Sequence, residues 1–196
     1  MRLFISGVSC VGKTAIGSTL AELLDCKFYD LDEEIETFFS TSIEILQNKF
    51  LTMASFRKEA SKAFIHLLNQ KESENAVISI PPSGLMSYYW RVVKKSDGIT
   101  IVLFDKAENI LKRVTFYDKH SNRIQKTLSK EERMFYLKEI KKDMAYFRTS
   151  YIRANIWVDI SGLDIVQSSL KVKEELETYC RKVERSKVFK RSKLAR

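Results

Sequence analysis

Residues 3–14 read LFISGVSCVGKT, an apolar run that leads directly into a glycine-rich turn. With a predicted strand before it and a predicted helix after it, the segment satisfies the spacing G-x-x-x-x-G-K-[ST] at Gly7, Gly12, Lys13 and Thr14. Such glycines allow backbone N–H groups to turn inward on phosphate, and the positive end of the following helix reinforces them. The stretch therefore predicts a cradle for a nucleoside triphosphate, with Lys13 bridging the β and γ phosphates and Thr14 ligating Mg²⁺.

The composition indicates one folded domain. A chain of 196 residues, 44% of them hydrophobic, can form one α/β domain with a substantial core. The apolar run at the N-terminus is too short for a signal peptide, and no stretch approaches the roughly 18 apolar residues of a membrane span. Three widely spaced cysteines, none in a C-x-x-C pair, predict free thiols and no zinc site: Cys10, Cys26 and Cys180. We therefore expect a cytoplasmic monomer without membrane contact.

The positive charge is concentrated at the C-terminus. The chain has a formal net charge of +9, and residues 181–196, RKVERSKVFKRSKLAR, contain eight Lys or Arg against one acid, which leaves +7 in that segment. Such a segment can attract nucleic acid or another polyanion. It is also typical of a solvated helix end. We favour the second interpretation and expect no nucleic-acid partner.

The periodicity of apolar residues predicts an α/β fold. Five short apolar runs bounded by turn residues predict buried strands at residues 3–6, 27–30, 76–80, 99–104 and 156–160. Stretches with helical spacing occupy residues 13–24, 32–39, 51–69, 85–94, 107–117, 130–151 and 163–182. This alternation predicts a five-stranded parallel sheet covered by helices on both faces, a three-layer α/β/α arrangement. We expect a single domain over residues 1–180 and a basic tail over residues 181–196.

Two carboxylates follow the second predicted strand. In FYDLDEEIE, residues 28–36, Asp30 and Asp32 lie where the strand ends and a helix begins. That position is the carboxyl edge of an α/β sheet, where ligands bind. Beside a magnesium triphosphate, one carboxylate can orient metal-bound water and the other can accept a proton from an attacking hydroxyl. Asp32 could alternatively serve only as a helix cap.

These segments together resemble the shikimate kinase family. The matching residues are GVSCVGKT, FYDLDEEIE and then Ser55-Phe56-Arg57 on the next predicted helix. The phosphate loop is common to nucleotide kinases, whereas the Asp-x-Asp and Phe-Arg pairs indicate this family. The resemblance spans about residues 1–180, and its weaker matches are Ser79, Glu108, Arg113, Arg123, Arg148, Tyr151 and Ala154.

The resemblance implies a P-loop kinase of aromatic amino acid biosynthesis. It implies that ATP, with Mg²⁺, gives its γ-phosphate to a hydroxyl of shikimate or a similar hydroxy acid. Lys13, Asp32 and Arg123 would be catalytic, the last on a helical lid at about residues 118–129. The motif and the resemblance assign nucleotide binding to Gly7, Cys10, Val11, Gly12, Lys13, Thr14, Ala15 and Arg113. They assign acceptor binding to Asp32, Arg57 and Arg148, and metal binding to Thr14, Asp30 and Ser79. After the third strand, where the chain departs from the family, we expect Ser83, Gly84 or the neighbouring tyrosines, Tyr88 and Tyr89, to bind the acceptor.

The chain departs from the family pattern around the acceptor. Where the family has three glycines after the third strand, this sequence has Pro81-Pro82-Ser83, and proline has no N–H to offer a substrate. The acidic residue expected three positions after Arg57 is Ala60, with Glu59 one place off. The spacing from Arg148 to Ala154 is about two residues shorter than in the family, so Arg153 competes for the role of Arg148. We expect retained phosphoryl transfer and an altered acceptor pocket.

Two alternative functions remain open. The chain could be a related P-loop kinase for another metabolite or a nucleoside monophosphate. It could also be a non-catalytic ATP-binding protein that contacts nucleic acid through its basic tail. The presence of Lys13, Asp32 and Arg123 favours catalysis, because a protein that only binds ATP has little need of all three.

Overall fold

The computed structural model describes residues 1–117 and 123–194. Its central sheet contains five parallel strands, β1 (Arg2–Ser6), β2 (Lys27–Asp30), β3 (Ala76–Ser79), β4 (Gly98–Phe104) and β7 (Ile156–Asp159). Their order across the sheet is β2-β3-β1-β4-β7. Strand β3 lies between β1 and β2, so that Ser79 at its end is beside Ile5 on one neighbour and Asp30 on the other.

Helices cover both faces of the sheet. Phe4 of β1 meets Phe64 with ring centroids 5.8 Å apart, whereas the next residue, Ile5, packs beside Gly17. Because successive strand residues point to opposite faces, the helices that carry Phe64 and Gly17 lie on opposite sides. The helices are α1 (Lys13–Leu23), α2 (Leu31–Phe39), α3 (Ile43–Asn48), α4 (Met53–Leu68), α5 (Ser87–Lys95), α6 (Ala107–Arg113), α7 (Lys130–Tyr151) and α8 (Ile165–Leu194), with a 3₁₀ turn at Lys71–Glu74.

The predicted three-layer α/β/α fold with a five-stranded parallel sheet is confirmed. Each of the five strands is present, with ends within one residue of the prediction. Side-chain caps mark the starts of three of the helices. The Asp30 side chain accepts a hydrogen bond from the Asp32 N–H and caps α2, and Thr52 caps α4 in the same way. Ser129 and Glu132 form a reciprocal capping box that begins α7.

The predicted helical lid is the part of the architecture that the structure corrects. Helix α6 ends at Arg113, four residues before the end of the predicted helix. The chain then extends into β5 (Phe116–Tyr117), which pairs antiparallel with β6 (Arg123–Ile124). Val114, Thr115 and the aromatic pair that follows favour extended backbone. Of the predicted lid at about residues 118–129, the described part consists of β6 and an irregular segment over residues 125–129, and residues 118–122 lie outside the described residues.

Helix α8 is longer than its sequence pattern predicts. It runs through Leu194 and so continues across the boundary predicted at residue 180. The basic segment is helical over residues 181–194. Among the helices that the structure describes, none is both long enough and apolar enough to span a membrane.

Candidate active site

The glycine-rich loop connects β1 to α1 in a conformation that requires glycine. Gly7 has φ 149° and Gly12 has φ 108°, both in the region that side chains disfavour. A Cβ atom at Gly7 would also lie 2.6 Å from the Leu103 carbonyl oxygen, so the loop and β4 could not approach so closely. Cys10 also has a positive φ, 59°, and is exposed on the loop. This backbone leaves the start of α1 open toward a ligand.

Lys13 is the first residue of α1 and folds back over the loop. Its Nζ donates to the carbonyl oxygens of Gly7 and Val8, both at 3.1 Å. Burial lowers the pKa of Lys13, and the nearby carboxylates of Asp32 and Asp30 oppose that shift. The ammonium group is thus held inside the loop, close to two carboxylates.

Thr14, Asp30 and Ser79 lie at one end of the sheet. The Thr14 hydroxyl donates to Asp30 Oδ2 at 2.7 Å, and Asp30 Oδ1 accepts the Asp32 N–H at 3.0 Å. Ser79, which is buried, is the register partner of Asp30 on the neighbouring strand. Hydroxyl and carboxylate oxygens of this kind are the ligands that Mg²⁺ accepts in proteins. The three predicted metal-site residues are therefore neighbours.

Asp32 lies on the first turn of α2 and faces a pocket. Its carboxylate is open to that pocket, but the surrounding protein displaces enough water to raise its pKa to about 6. The negative charge of Asp30 raises the pKa further, and Lys13 opposes the shift. A carboxylate with this pKa is mostly ionised at neutral pH and is still basic enough to accept a proton.

The pocket beside Asp32 has a volume of about 270 Å³. Arg57 of α4 lines it, and the Arg57 Nε atom is buried without a hydrogen-bond partner among the described residues. An unpaired buried guanidinium nitrogen is costly unless a ligand or water satisfies it. The other lining residues are Ser9, Ile43, Gln47, Met53, Phe56, Pro81, Pro82, Ser83, Tyr89, Asp143 and Phe147.

Of the residues expected to replace the missing glycine donors, Ser83 and Tyr89 reach this pocket, whereas Gly84 does not and Tyr88 lines a different cavity. Ser83 lines it and is nearly buried. Gly84 does not line it. Its N–H donates to the Pro81 carbonyl at 2.7 Å within the turn and is therefore not free to bind a ligand. The expected acidic neighbour of Arg57 is also absent here, since Glu59 pairs with Lys62 at 2.5 Å.

Among the side chains that the structure describes, Arg57 is the only arginine that lines the pocket. Arg148, predicted to bind the acceptor, lines a different cavity with Val8, Asp105 and Trp157. Arg153, the alternative candidate for binding the acceptor, donates from Nη1 to the Leu85 carbonyl at 2.6 Å and lies over the Trp90 ring. Helix α7 instead presents Asp143 and Phe147 to the pocket. The predicted lid arginine, Arg123, begins β6, and its side chain lies outside what the structure describes.

Arg113 is anchored by a residue that the sequence pattern did not single out. Its guanidinium forms an ion pair with Asp105, and its Nη1 donates to the Val11 carbonyl of the phosphate loop at 3.2 Å. The Asp105 side chain is fully buried and also accepts from the Lys106 N–H and from Asn109 Nδ2. Burial alone would raise the pKa of Asp105, but hydrogen bonds from Asn109 and Arg113 outweigh it, and the pKa lies below its usual value. Asp105 thus holds Arg113 of α6 against the phosphate loop.

Replacing Asp105 with Asn should weaken nucleotide binding. The amide keeps the shape but loses the charge that orients Arg113 against the loop. A charge-assisted hydrogen bond of this kind contributes about tenfold or more in affinity. We expect the KM for ATP to rise about tenfold with little change in kcat or in the KM for the acceptor, measured by steady-state kinetics. Glu108→Gln, an exposed change on the same helix, should leave the KM for ATP as it is, and an equal effect of both variants would contradict the assignment.

Four further residues of the pocket were not predicted from sequence: Ser9, Ile43, Gln47 and Met53. Ile43 and Gln47 come from α3, a helix of only six residues that is too short for a clear apolar period. Its one sequence signal is Ser42, whose hydroxyl caps the helix at the Ile45 N–H. Ser9 of the phosphate loop also lines the pocket and joins the nucleotide side to the acceptor side.

Comparisons with known proteins agree with this architecture. The sequence profile of the family described as shikimate kinase matches residues 9–176. Shikimate kinase from Aquifex aeolicus is 40% identical over 80 residues, which is 40% of this chain and 45% of that protein. Shikimate kinase from Nitrosospira multiformis is 26% identical over 151 residues, 77% of this chain and 74% of that protein.

The solved structures show the same relationship over a larger share of the chain. The crystal structure of shikimate kinase from Aquifex aeolicus superposes with a TM-score of 0.67 at 28% identity, and covers 90% of this chain and 96% of that one. The sequence profile spans far more than half of the 196 residues, including the loop that holds Lys13 and the helix that carries Arg57. The chain therefore belongs to the shikimate kinase family.

Proposed function

We propose that the protein is an ATP-dependent kinase that phosphorylates a hydroxyl of shikimate or a similar small hydroxy acid. The observation that carries this proposal is the junction of two sites at one edge of the sheet. The phosphate loop holds Lys13 close to Asp32, and Asp32 lines a small pocket that also contains the unpaired Arg57. The similarity to proteins named shikimate kinase supports the choice of acceptor.

The nucleotide would bind along the loop and the start of α1. Backbone N–H groups at the N-terminus of α1 point toward phosphate, and Lys13 can exchange its bonds to the Gly7 and Val8 carbonyls for phosphate oxygens. Thr14 and Ala15 are exposed at the same helix start. Arg113, fixed by Asp105, lies against the Val11 carbonyl and can contact the base from that side.

The residues present fit a magnesium ion that arrives with the nucleotide. Among the described residues, no three His, Cys, Asp or Glu side chains converge as a dedicated metal site. Mg²⁺ in such enzymes is held by one or two protein groups, phosphates and water. Thr14 would provide the hydroxyl ligand, and Asp30 and Ser79 would orient the water ligands. When bound, the ion neutralises the negative charge of the phosphates.

Asp32 is placed to accept the proton of the acceptor hydroxyl. In the transfer, the hydroxyl oxygen forms a bond to the γ-phosphorus, the bond from that phosphorus to the β–γ bridging oxygen breaks, and ADP leaves. The hydroxyl proton passes to the Asp32 carboxylate. Lys13 compensates the charge that moves onto the bridging oxygen. The nearby Asp30 remains hydrogen-bonded to Thr14 and so performs a separate role.

Arg57 would bind the carboxylate of the acceptor. A guanidinium and a carboxylate form two parallel charge-assisted hydrogen bonds, and the Arg57 Nε has no other described partner. Replacing Arg57 with Ala should raise the KM for shikimate roughly 10- to 100-fold, because a hydrogen bond to a charged group is lost. The KM for ATP should change little, since Arg57 is on the acceptor side.

Steady-state kinetics with each substrate varied in turn tests this assignment. Lys58→Ala removes the adjacent, exposed basic residue, which does not line the pocket, and is the matched control. The proposal predicts that only the Arg57 variant loses acceptor affinity. If Arg57→Ala bound the hydroxy acid as well as the wild type, Arg57 would not be the carboxylate site.

A further inference from the structure

Helix α7 brings a second carboxylate into the acceptor pocket. Asp143 lines the pocket together with Phe147, which is one helical turn later, so the two side chains project from the same face of α7. In the described part of the chain, Asp143 has no ion-pair partner, whereas Glu139 on the same helix pairs with Lys142 at 2.5 Å. Among the side chains that the structure describes, none pairs with the negative charge that Asp143 brings to the pocket wall.

The described lining of the pocket contains one positively charged side chain. Arg57 is the only basic residue among the described residues that line it, because Arg148 and Arg153 both lie elsewhere. The pocket therefore offers one site for a carboxylate, on α4, and a site that repels a carboxylate, on α7. An acceptor that carries only negative charge satisfies the first site and leaves Asp143 unpaired.

The solvent exposure of Asp143 determines which chemical group of an acceptor it can favour. The Asp143 carboxylate is exposed, so a neutral hydroxyl of the acceptor would only replace a water hydrogen bond and would contribute little. A cation gains Coulomb attraction in addition, and that attraction grows as a bound acceptor and nucleotide exclude water. The group that Asp143 distinguishes best from its alternatives is therefore a protonated amine.

We propose that the preferred acceptor is a small amino hydroxy acid, and that Asp143 binds its ammonium group. The inference rests on the proposed function, because it takes the pocket beside Asp32 as the acceptor site. Such a molecule places its carboxylate at Arg57, its ammonium group at Asp143 and its reacting hydroxyl at Asp32. Asp143 is then a specificity-determining residue that sets the orientation of the acceptor between α4 and α7.

The test compares two acceptors that differ in one group. The probes are shikimate and an analogue in which one ring hydroxyl, other than the one that accepts phosphate, is replaced by an amine. With the full chain and Mg-ATP, we expect kcat/KM to favour the amine by on the order of fivefold, the range of a partly exposed ion pair. In Asp143→Asn the preference should disappear through a higher KM for the amine, with kcat unchanged. Asp143→Glu should retain it.

A matched control separates this effect from a general change in α7. Glu139→Gln alters a charge on the same helix outside the pocket and should keep the wild-type preference. If the wild type, Asp143→Asn and Glu139→Gln share one acceptor ratio while shikimate is phosphorylated, the inference fails and the proposed function stands. If neither acceptor is phosphorylated by the wild type, both fail.

Discussion

Replacing Lys13 with Ala should reduce acceptor-dependent ADP release by at least about a hundredfold, the typical cost of removing one charged group from a closed catalytic site. The Lys13 ammonium group is the only side-chain cation that the described phosphate loop, residues 7–14, provides. Without it, no side-chain cation of the loop compensates the charge that develops on the leaving oxygen, and only backbone N–H groups remain. The measurement is kcat with saturating Mg-ATP and shikimate.

The same substitution should leave the fold intact. Burial opposes the charged form of Lys13, so the protein gains little stability from keeping the ammonium group there. We expect the thermal unfolding midpoint of Lys13→Ala to match or exceed that of the wild type. Lys27→Ala, at an exposed lysine of β2, should change neither quantity. Wild-type turnover in Lys13→Ala would contradict the role of the loop in phosphoryl transfer.

Replacing Asp32 with Asn should lower kcat by about 10²- to 10⁴-fold, the range for a general base. The amide preserves the shape of the side chain but cannot accept the hydroxyl proton. Asp30, not Asp32, caps α2 through its side chain, so the helix start should be unaffected. The KM for ATP should therefore stay close to the wild-type value. A wild-type kcat in Asp32→Asn would mean that Asp32 has no role in the chemical step.

The pH dependence gives an independent test of the same carboxylate. The base must be ionised, and burial together with Asp30 raises the pKa of Asp32 to about 6. Activity should therefore be complete well above pH 6 and fall about tenfold for each pH unit below it. In Asp32→Asn this acidic limb should vanish from the residual rate. A profile that stays flat down to pH 4.5 in the wild type would contradict the assignment.

The sheet and the phosphate loop could be predicted from the sequence because their constraints are local. Gly7 and Gly12 have backbone conformations that side chains disfavour, and the strand before them is buried on both faces. The hydrogen bond between Thr14 and Asp30 could be expected as well. Thr14 lies in the first turn of α1 and Asp30 ends β2, so both residues lie at the carboxyl edge of the sheet. Each of these features depends on a few adjacent residues.

The acceptor side could not be predicted to the same degree, because it depends on the rotation of one long helix. Arg148 follows Phe147 by one residue, which places its side chain about 100° around α7. Phe147 faces the pocket, and Arg148 faces a separate cavity beside Trp157. A sequence match that is uncertain by one or two residues cannot decide between these two faces. For the same reason, Asp143 was not recognised.

Tertiary contacts also determine the position of Arg113 beside the phosphate loop. Asp105 is separated from the loop by about ninety residues in the sequence, and only the pairing of β1 with β4 brings it near Val11. Its role depends on complete burial, on the side chains of Asn109 and Arg113 in α6 and on the Lys106 N–H just before that helix, and a periodic pattern shows none of these contacts. Arg113 could be predicted as a nucleotide-binding residue from the sequence, but Asp105, which orients it, could not.

The ³¹P NMR spectrum of the protein with Mg-ATP and shikimate tests the central claim most directly, because it identifies where the γ-phosphate goes. The account predicts a phosphomonoester resonance that grows in step with ADP, and no ADP formation when shikimate is left out. ADP accompanied only by inorganic phosphate, at the same rate with and without shikimate or its amine analogue, would show that the pocket beside Asp32 is not an acceptor site.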